Sequence, residues 1–267
     1  MIEIVTHCYN PPGIDIYSQM LKHQVASLVH HRCDWKVRLT VCYSPLDEIT
    51  TEQIQYLKSS LEDSPFVEFN PYPLDEGTLF RRAIGRNEVA LATRADVVWF
   101  ADVDMLFGEN CLSVAHELAM TKPGLYMPCE VQISFDNNNE WSSSDRPHHE
   151  VGRVYIDSHR DDPCPTIKPE FFGGPWTGPC IGGVQIVHGD VARRGYLSGT
   201  SFVQKTVDPS QGFRSCIGDK KYRKWLTSLG VPGPIKLEIP NCYRIRHLVD
   251  GRDFLANGTR LEGKEAW

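Results

Sequence analysis

The feature that most constrains the fold is a short apolar run that ends in two aspartates. The run extends from Val97 to Ala101, and Asp102 and Asp104 follow it, separated by Val103. An uninterrupted run of this length, rich in Val, Trp and Phe, predicts a buried strand of a parallel sheet. On a continuing strand, residues two apart point to the same side, so the two carboxylates would face one point at the carboxyl end of the strand.

The two carboxylates predict a cation site. Like charges held close together repel each other and are costly to bury, and a divalent cation removes both costs. Oxygen ligands suit Mg2+ or Mn2+, and Mg2+ is commonly held by one or two carboxylates together with substrate phosphates. We therefore expect a metal-assisted phosphate or sugar-phosphate site. The alternative is a turn in which both aspartates are solvated.

The first half of the chain alternates predicted strands and helices. Strands are predicted at 2–6, 35–43, 66–69 and 97–101, and helices at 17–29, 51–61 and 79–95. This alternation predicts a parallel sheet with right-handed crossovers. Because ligands bind outside the carboxyl ends of such strands, Thr6 to Asn10, Tyr43 and the aspartate pair are expected to gather at one edge.

The second half is less regular. Helices are predicted at 110–121, 190–196 and 219–229, and strands at 124–131, after the glycine pair at 182–183, and at 235–239. The stretch from about 134 to 169 is polar, with few apolar anchors. Loops of this length are usually functional or disordered, so we expect a flexible flap or acceptor-binding excursion within a single domain of residues 1–267.

The composition excludes several classes of protein. A net charge of −6 gives no overall attraction to nucleic acid or to an anionic membrane. We find no apolar stretch approaching the roughly 20 residues of a spanning helix and no secretory leader at the N-terminus. Nine singly scattered cysteines, with no C-x-x-C pair, predict free thiols and not a zinc knuckle or a disulfide framework. We therefore predict a cytoplasmic protein.

Four segments in order resemble GT-A glycosyltransferases, most closely glycosyltransferase family 2 and its relatives. Residues 83–104 are similar to the helix and strand that lead into the family's D-x-D motif, including an Arg-Asn pair before it. Residues 4–10 resemble the first strand, and 182–197 resemble the acceptor-side strand and helix. Residues 212–223 stand where the family carries a Gly…Glu-Asp…Arg helix start.

The resemblance implies a fold and an activity. The fold would be a GT-A type Rossmann-like mixed sheet flanked by helices, with a nucleotide-sugar-binding half at 1–107 and an acceptor-side half at 108–267. The activity would be metal-dependent transfer of a sugar from a nucleotide-diphosphate sugar, UDP- or GDP-linked, to a hydroxyl of a glycan or another acceptor. Mn2+ or Mg2+ would neutralise the diphosphate leaving group.

The resemblance also assigns roles to individual residues. Asp102 would contact the ribose or the metal, and Asp104 would coordinate the metal. His247 matches by order a late histidine that is a further metal ligand in many members, with a surface or strand histidine as the alternative. Asp219 stands in the usual catalytic position and would be the general base of an inverting transfer, with helix capping as the alternative. Gly218 replaces the acidic neighbour that the family carries there.

The remaining candidates each have a plain structural alternative. Arg82 and Arg86 share a helix face, and one could bind diphosphate or both could be solvated. Tyr9 and Asn10 could hold the nucleotide base or form a turn. Trp176 could present a sugar or acceptor platform or pack in the core. The other candidates are Thr6, Tyr43 and Val103 for donor binding, Gly182 and Gly183 for the acceptor, and His7 and His188 as weaker metal ligands. The family's Asp-Asp-Gly-Ser is absent after the second strand, where Cys42, Tyr43 and Ser44 stand, so base recognition stays open.

Two other functions fit parts of the pattern. A haloacid-dehalogenase-like phosphatase also places D-x-D after an apolar strand, but it usually carries Thr or Val two residues after the second aspartate, where this chain has Leu106. Here the pair also follows several strand–helix units. A non-catalytic nucleotide-sugar-binding module is the second possibility. The presence of Asp102, Asp104 and Asp219 together argues against it.

Overall fold

The computed structural model describes residues 1–10, 15–31, 33–79, 82–134, 164, 166–168, 172–178, 183–196 and 216–245. Its strands are β1 Ile2–His7, β2 Val37–Tyr43, β3 Val67–Pro73, β4 Val97–Ala101, β5 Met105–Phe107, β6 Leu125–Pro128, β7 Val131–Ser134, β8 Phe172–Trp176, β9 Val184–His188, β10 Ile235–Leu237 and β11 Cys242–Arg244. Its helices are α1 Ile16–His30, α2 Glu48–Ser60, α3 Glu76–Leu79, α4 Arg82–Ala92, α5 Cys111–Met120, α6 Gly189–Ala192 and α7 Cys216–Ser228.

The strands form two sheets. The larger has the order β10-β6-β9-β4-β1-β2-β3, and the smaller has the order β5-β11-β7-β8. Strands β1 to β4 are parallel where they pair, as the alternation of strands and helices predicts. Strand β9 runs antiparallel between β4 and β6. The predicted α/β fold with a mixed sheet is therefore confirmed.

Apolar side chains cover both faces of the central strands. Every residue of β1 and β4 is buried, which explains why β4 is an apolar run and not an alternating pattern. Trp99 packs on one face, edge-on to Phe107 at 5.0 Å between ring centroids. Phe100 packs on the other face against Tyr196 and Tyr222. Burial on both faces fixes β4, and with it the position of Asp102.

The structure differs from the predicted elements at several places. Of the helix predicted at 79–95, α4 covers 82–92, and Leu79 is the last residue of α3. Strands β5, β8 and β11 are not predicted by the sequence. The strand predicted at 124–131 is divided into β6 and β7, which belong to different sheets; β6 ends at Pro128, which has no N–H for a continuing ladder. The predicted flap at 134–169 lies outside the described residues except for Ser134, Cys164 and 166–168. Within the part of the chain that the structure describes, no helix is long and apolar enough to cross a membrane.

Candidate active site

Three parallel strands and one antiparallel strand meet at a single edge of the large sheet. At this edge β1 ends with His7, which pairs with Cys42 of β2. Strand β4 ends there with Ala101, which pairs with Val184 at the start of β9. Asp102 and Gly183 are therefore brought side by side.

Asp102 lies among three guanidinium groups. Its Oδ1 accepts hydrogen bonds from Arg82 Nη1 at 2.6 Å and Arg86 Nη2 at 3.3 Å. Its Oδ2 is 3.9 Å from Arg244 Nη2. Burial alone would raise the pKa of this carboxyl, yet the three guanidinium groups hold the pKa of Asp102 well below its usual value. Asp102 is therefore an ionised carboxylate at neutral pH.

Asp104 follows in a turn and not on a continuing strand, because β4 ends at Ala101 and β5 begins at Met105. The Gln24 side chain fixes this turn by donating from Nε2 to the carbonyl oxygens of Asp102 and Met105, each at 3.0 Å. The Asp104 side chain is only 4% exposed, and its Oδ2 accepts from Arg244 Nε at 2.8 Å. Both carboxylates thus contact one guanidinium, although Asp104 does not lie on the continuing strand that the spacing predicts.

Arg86 joins the aspartate pair to Asp219. Its side chain is fully buried, with Nη1 donating to Asp219 Oδ1 at 3.0 Å and Nη2 to Asp102 Oδ1. Its guanidinium also lies over the rings of Phe100 and Tyr196, a favourable arrangement for a cation. The alternative of a solvated arginine is therefore wrong for Arg86.

Asp219 is held at the first turn of α7. The hydroxyl of Tyr196 donates to the same Oδ1 at 2.7 Å, so this oxygen accepts from both Tyr196 and Arg86. The Asp219 side chain is 17% exposed, which leaves the carboxylate within reach of a ligand at this edge. Tyr196 is in turn positioned by Asn87, whose Oδ1 accepts from the Tyr196 backbone N–H at 2.9 Å.

Position 183 requires a glycine, because its backbone lies very close to the Asp102 side chain. A Cβ at position 183 would lie 2.5 Å from Asp102 Oδ2 and 2.7 Å from its Cγ, much closer than van der Waals contact. The glycine therefore lets the β9 backbone pack against the carboxylate. The sequence predicted close approach to a ligand here; the described contact is with Asp102.

We expect Gly183→Ala to weaken binding of UDP and GDP by about tenfold or more, a change of about 1.4 kcal/mol, because the methyl group displaces the Asp102 carboxylate. Calorimetric titration measures this change. Gly230→Ala is the matched control: its backbone φ of +73° strains any side chain, but nothing lies within 4 Å of its Cβ position. It should lower stability by about 1 kcal/mol and leave binding unchanged. Equal binding by Gly183→Ala and the parent protein would contradict the assigned role.

The candidates predicted to hold the nucleotide lie at the same edge but differ in their surroundings. Asn10 Oδ1 accepts from the backbone N–H groups of Tyr17 and Ser18 at the start of α1, and its Nδ2 donates to Thr50. These contacts match the alternative of a structural turn. The Tyr9 ring lies 5.6 Å from that of Tyr17. Of the others, Thr6 and Val103 are buried and Tyr43 is half-buried.

The acceptor and metal candidates divide into three groups. Trp176 ends β8 in the small sheet, pairs with Val131 and is half-buried. His188 pairs with Val97 at the opposite end of β4 from Asp102, and its Nδ1 accepts from the Asp190 backbone N–H. This position removes His188 from the D-x-D site. Gly182 and His247 lie outside the described residues.

His7 lies at the carboxyl edge of β1 as a buried neutral imidazole. Burial, together with the nearby Arg86 and Arg82, lowers the pKa of His7 well below its usual value. Among the residues that the structure describes, neither ring nitrogen of His7 has a hydrogen-bond partner. Its Nε2 lies close to α4, since a Cβ on Gly85 would be 2.8 Å from it. The imidazole and the two arginines therefore form one face of the site.

Arg244 is the site residue that sequence reasoning missed. It follows Tyr243 on β11 and donates from Nε to Asp104 Oδ2 at 2.8 Å, while the backbone N–H of Ile245 donates to the Asp104 carbonyl oxygen at 2.8 Å. The available signal was the segment Tyr-Arg-Ile-Arg-His, which we interpreted only as leading to His247. Pairing of β11 with β5 depends on contacts distant in the sequence, so no local pattern indicated it.

The described residues do not fit a divalent cation at the D-x-D pair. Asp102 and Asp104 both carry charge-assisted hydrogen bonds from arginines. Among the ranges that the structure covers, no group of three or more His, Cys, Asp or Glu side chains could hold a metal. A cation between the two carboxylates would also lie against the Arg244 guanidinium.

Seven of the nine cysteines are described, and these seven are free thiols, as predicted.

Comparison with solved structures found matches that include three sugar transferases. PcManGT, a mannosyltransferase from Pyrobaculum calidifontis in complex with GDP-Man and Mn2+, has a TM-score of 0.51 at 12% identity, covering 93% of this chain and 57% of that chain. The glycosyltransferase GlyE of Streptococcus pneumoniae TIGR4 has a TM-score of 0.41 at 13% identity, with coverages of 91% and 44%. Mouse xyloside xylosyltransferase 1 has a TM-score of 0.41 at 12% identity, with coverages of 91% and 97%.

The likeness to the mannosyltransferase establishes the fold, which is GT-A-like, as the resemblance in sequence implied. At TM-scores below 0.5 the other two structures carry no further argument. This chain spans about half the length of the first two proteins. No protein-family model and no curated protein matches the sequence.

Proposed function

We propose that this chain transfers a sugar from a nucleoside-diphosphate sugar to an acceptor hydroxyl. The observation that carries the proposal is the link from Asp102 through Arg86 to Asp219 at the carboxyl edge of the sheet. One buried guanidinium holds the predicted donor anchor and the predicted base in a fixed relation. The GT-A-like fold supports the same class of reaction, and a mannosyltransferase of this fold was solved with GDP-Man.

In the proposed reaction an acceptor hydroxyl oxygen attacks the anomeric carbon of the donor sugar. The bond from that carbon to the diphosphate oxygen breaks, and the electron pair leaves with the diphosphate. Asp219 accepts the proton of the hydroxyl, while Arg86 and Tyr196 orient its carboxylate. A single displacement of this kind inverts the anomeric configuration.

Arg82 and Arg244 are placed to bind the phosphates. Their side chains are 26% and 30% exposed, and arginine offers paired N–H donors that match phosphate oxygens. Negative charge that develops on the leaving diphosphate would be stabilised by these preorganised donors. The divalent metal that the D-x-D resemblance implies, Mn2+ or Mg2+, is a prediction of the sequence that the arginine contacts of Asp102 and Asp104 do not support.

The phosphatase hypothesis fits this geometry less well. It needs Asp102 as a nucleophile with an oxygen free to attack phosphorus. Here Oδ1 accepts from two arginines and Oδ2 is packed against Gly183. A non-catalytic binding module is distinguished by experiment, because it would bind the donor and release no nucleoside diphosphate.

The experiment is a calorimetric panel of UDP- and GDP-linked sugars with and without Mn2+. We expect one donor class to bind with a dissociation constant of about 1 μM to 1 mM, a range typical of enzyme substrates. Asp102→Asn should weaken that binding, because Arg82 loses the ion pair that orients it. Failure of every donor to bind in both conditions would contradict the proposed function.

A further inference from the structure

Solvent reaches two of the three arginines around the aspartate pair. Arg82 and Arg244 are partly exposed, whereas Arg86 is fully buried between two carboxylates. Arg82 donates from Nη1 to Asp102, and Arg244 donates from Nε to Asp104. A guanidinium has five N–H donors, so each of the exposed arginines keeps donors for a ligand.

Three guanidinium groups face three carboxylates in the cluster. Arg86 pairs with Asp219 and Asp102, Arg82 with Asp102, and Arg244 with Asp104 and Asp102. Two guanidinium groups together carry the charge of one divalent cation. The pair Arg82 and Arg244 therefore neutralises the two aspartates to the same extent as a bound metal would.

Arg244 also occupies the position between the two carboxylates that a cation bound to both of them would need. Its Nε is 2.8 Å from Asp104 Oδ2 and its Nη2 is 3.9 Å from Asp102 Oδ2. The β11 backbone holds it there, because the Ile245 N–H donates to the Asp104 carbonyl oxygen. A cation bridging the same two carboxylates would have to displace this guanidinium, since like charges repel at such distances.

We infer that Arg82 and Arg244 bind the donor diphosphate in place of a divalent cation, and that a cation competes with Arg244 for Asp102 and Asp104. The inference rests on the proposed function, because it names how that site holds the diphosphate. Arginine suits this task because its planar fork donates two parallel hydrogen bonds to phosphate oxygens.

Calorimetric titration with UDP and GDP, in EDTA and in Mn2+, tests the inference. We expect the parent protein to bind UDP or GDP. The dissociation constant of that nucleotide should differ by no more than about threefold between EDTA and Mn2+. Arg244→Gln should weaken binding in EDTA by about tenfold or more, the effect of losing charge-assisted bonds to phosphate. Added Mn2+ should restore much of this loss, because the freed carboxylates then bind the metal.

Binding of Mn2+ alone gives a second readout. Electron paramagnetic resonance of free Mn2+ should show binding at least about tenfold tighter to Arg244→Gln than to the parent protein. Arg38→Gln is the matched control, because Arg38 pairs with Glu68 near the start of β2, away from the carboxyl edge of the large sheet. It should leave nucleotide and Mn2+ binding unchanged. If Arg244→Gln does not fold, Arg82→Gln should show the same loss of nucleotide binding in EDTA.

The outcomes separate the inference from the proposed function. Binding of UDP or GDP by the parent protein only when Mn2+ is present overturns the inference and leaves the proposed function standing. Tight binding of Mn2+ alone by the parent protein also overturns it. Failure of both nucleotides, and of their sugars, to bind in either condition overturns both the inference and the proposed function.

Discussion

Replacing Asp219 with asparagine is expected to lower the rate of sugar transfer by about 10²- to 10⁴-fold, the usual contribution of a positioned general base. The amide oxygen can still accept from Arg86 and Tyr196, so the local structure should persist. The amide cannot take the acceptor proton. Donor affinity should therefore stay within about threefold of the parent value, and the loss should be confined to turnover. The measurements are release of nucleoside diphosphate in the presence of acceptor and calorimetric titration of the donor.

Asp190→Asn is the matched control for that substitution. Asp190 also lies in the first turn of a helix and pairs with an arginine, Arg193. It belongs to α6, which follows His188 at the opposite edge of the sheet. Its replacement should leave turnover unchanged. Full activity in Asp219→Asn would remove Asp219 as the base, whereas a loss in both variants would show that the effect is not specific to the site.

Arg86→Met is expected to lower the free energy of unfolding by about 3–5 kcal/mol. Methionine retains much of the apolar stem, but it leaves Asp102 and Asp219 without the buried cation that they share. Removal of one partner from a buried ion pair typically costs this much. Here the cost falls mainly on Asp219, which loses the arginine that pairs with it, whereas Asp102 keeps Arg82 and Arg244. Urea denaturation followed by circular dichroism measures the change. Donor binding at temperatures where the variant is folded should also weaken, because Asp102 loses one of its three cations.

Arg193→Met is the control, because it removes an arginine that pairs with an exposed aspartate outside the candidate site. Arg193 pairs with Asp190, which is 65% exposed, and exposed pairs of this kind contribute about 0–1 kcal/mol. Its replacement should therefore change the free energy of unfolding by no more than about 1 kcal/mol. A similarly small change in Arg86→Met would contradict the role of Arg86 as the link between the two carboxylates.

The sequence predicted the parallel strands β1 to β4 well, because each of them has a local apolar pattern. The apolar run before Asp102 indicated burial on both faces, and the register of β1, β2 and β4 brings the predicted residues to one edge. The helix predicted at 79–95 is longer than α4, which covers 82–92, because an apolar pattern marks the ends of a helix only weakly. Pro128 is a local signal for the end of β6, because proline has no N–H for a continuing ladder.

The chemistry around the D-x-D pair could not be read in the same way. The contacts of Arg244 with Asp104 and of Arg86 with Asp219 join residues that are 140 and 133 positions apart. Such contacts depend on how the sheets assemble, which the spacing of residues does not determine. The roles of Gly182 and His247, the single-domain organisation and the cytoplasmic location stay predictions.

The central claim is that the carboxyl edge of the large sheet binds the diphosphate of a nucleotide sugar. Hydrogen–deuterium exchange with and without the donor that the calorimetric panel identifies tests it most directly. We predict slower exchange of the backbone amides at 101–105, 183–186 and 242–245, and no change at 95–97 and 188–190 on the opposite edge. Protection confined to the opposite edge, or no protection at saturating donor, would contradict the claim.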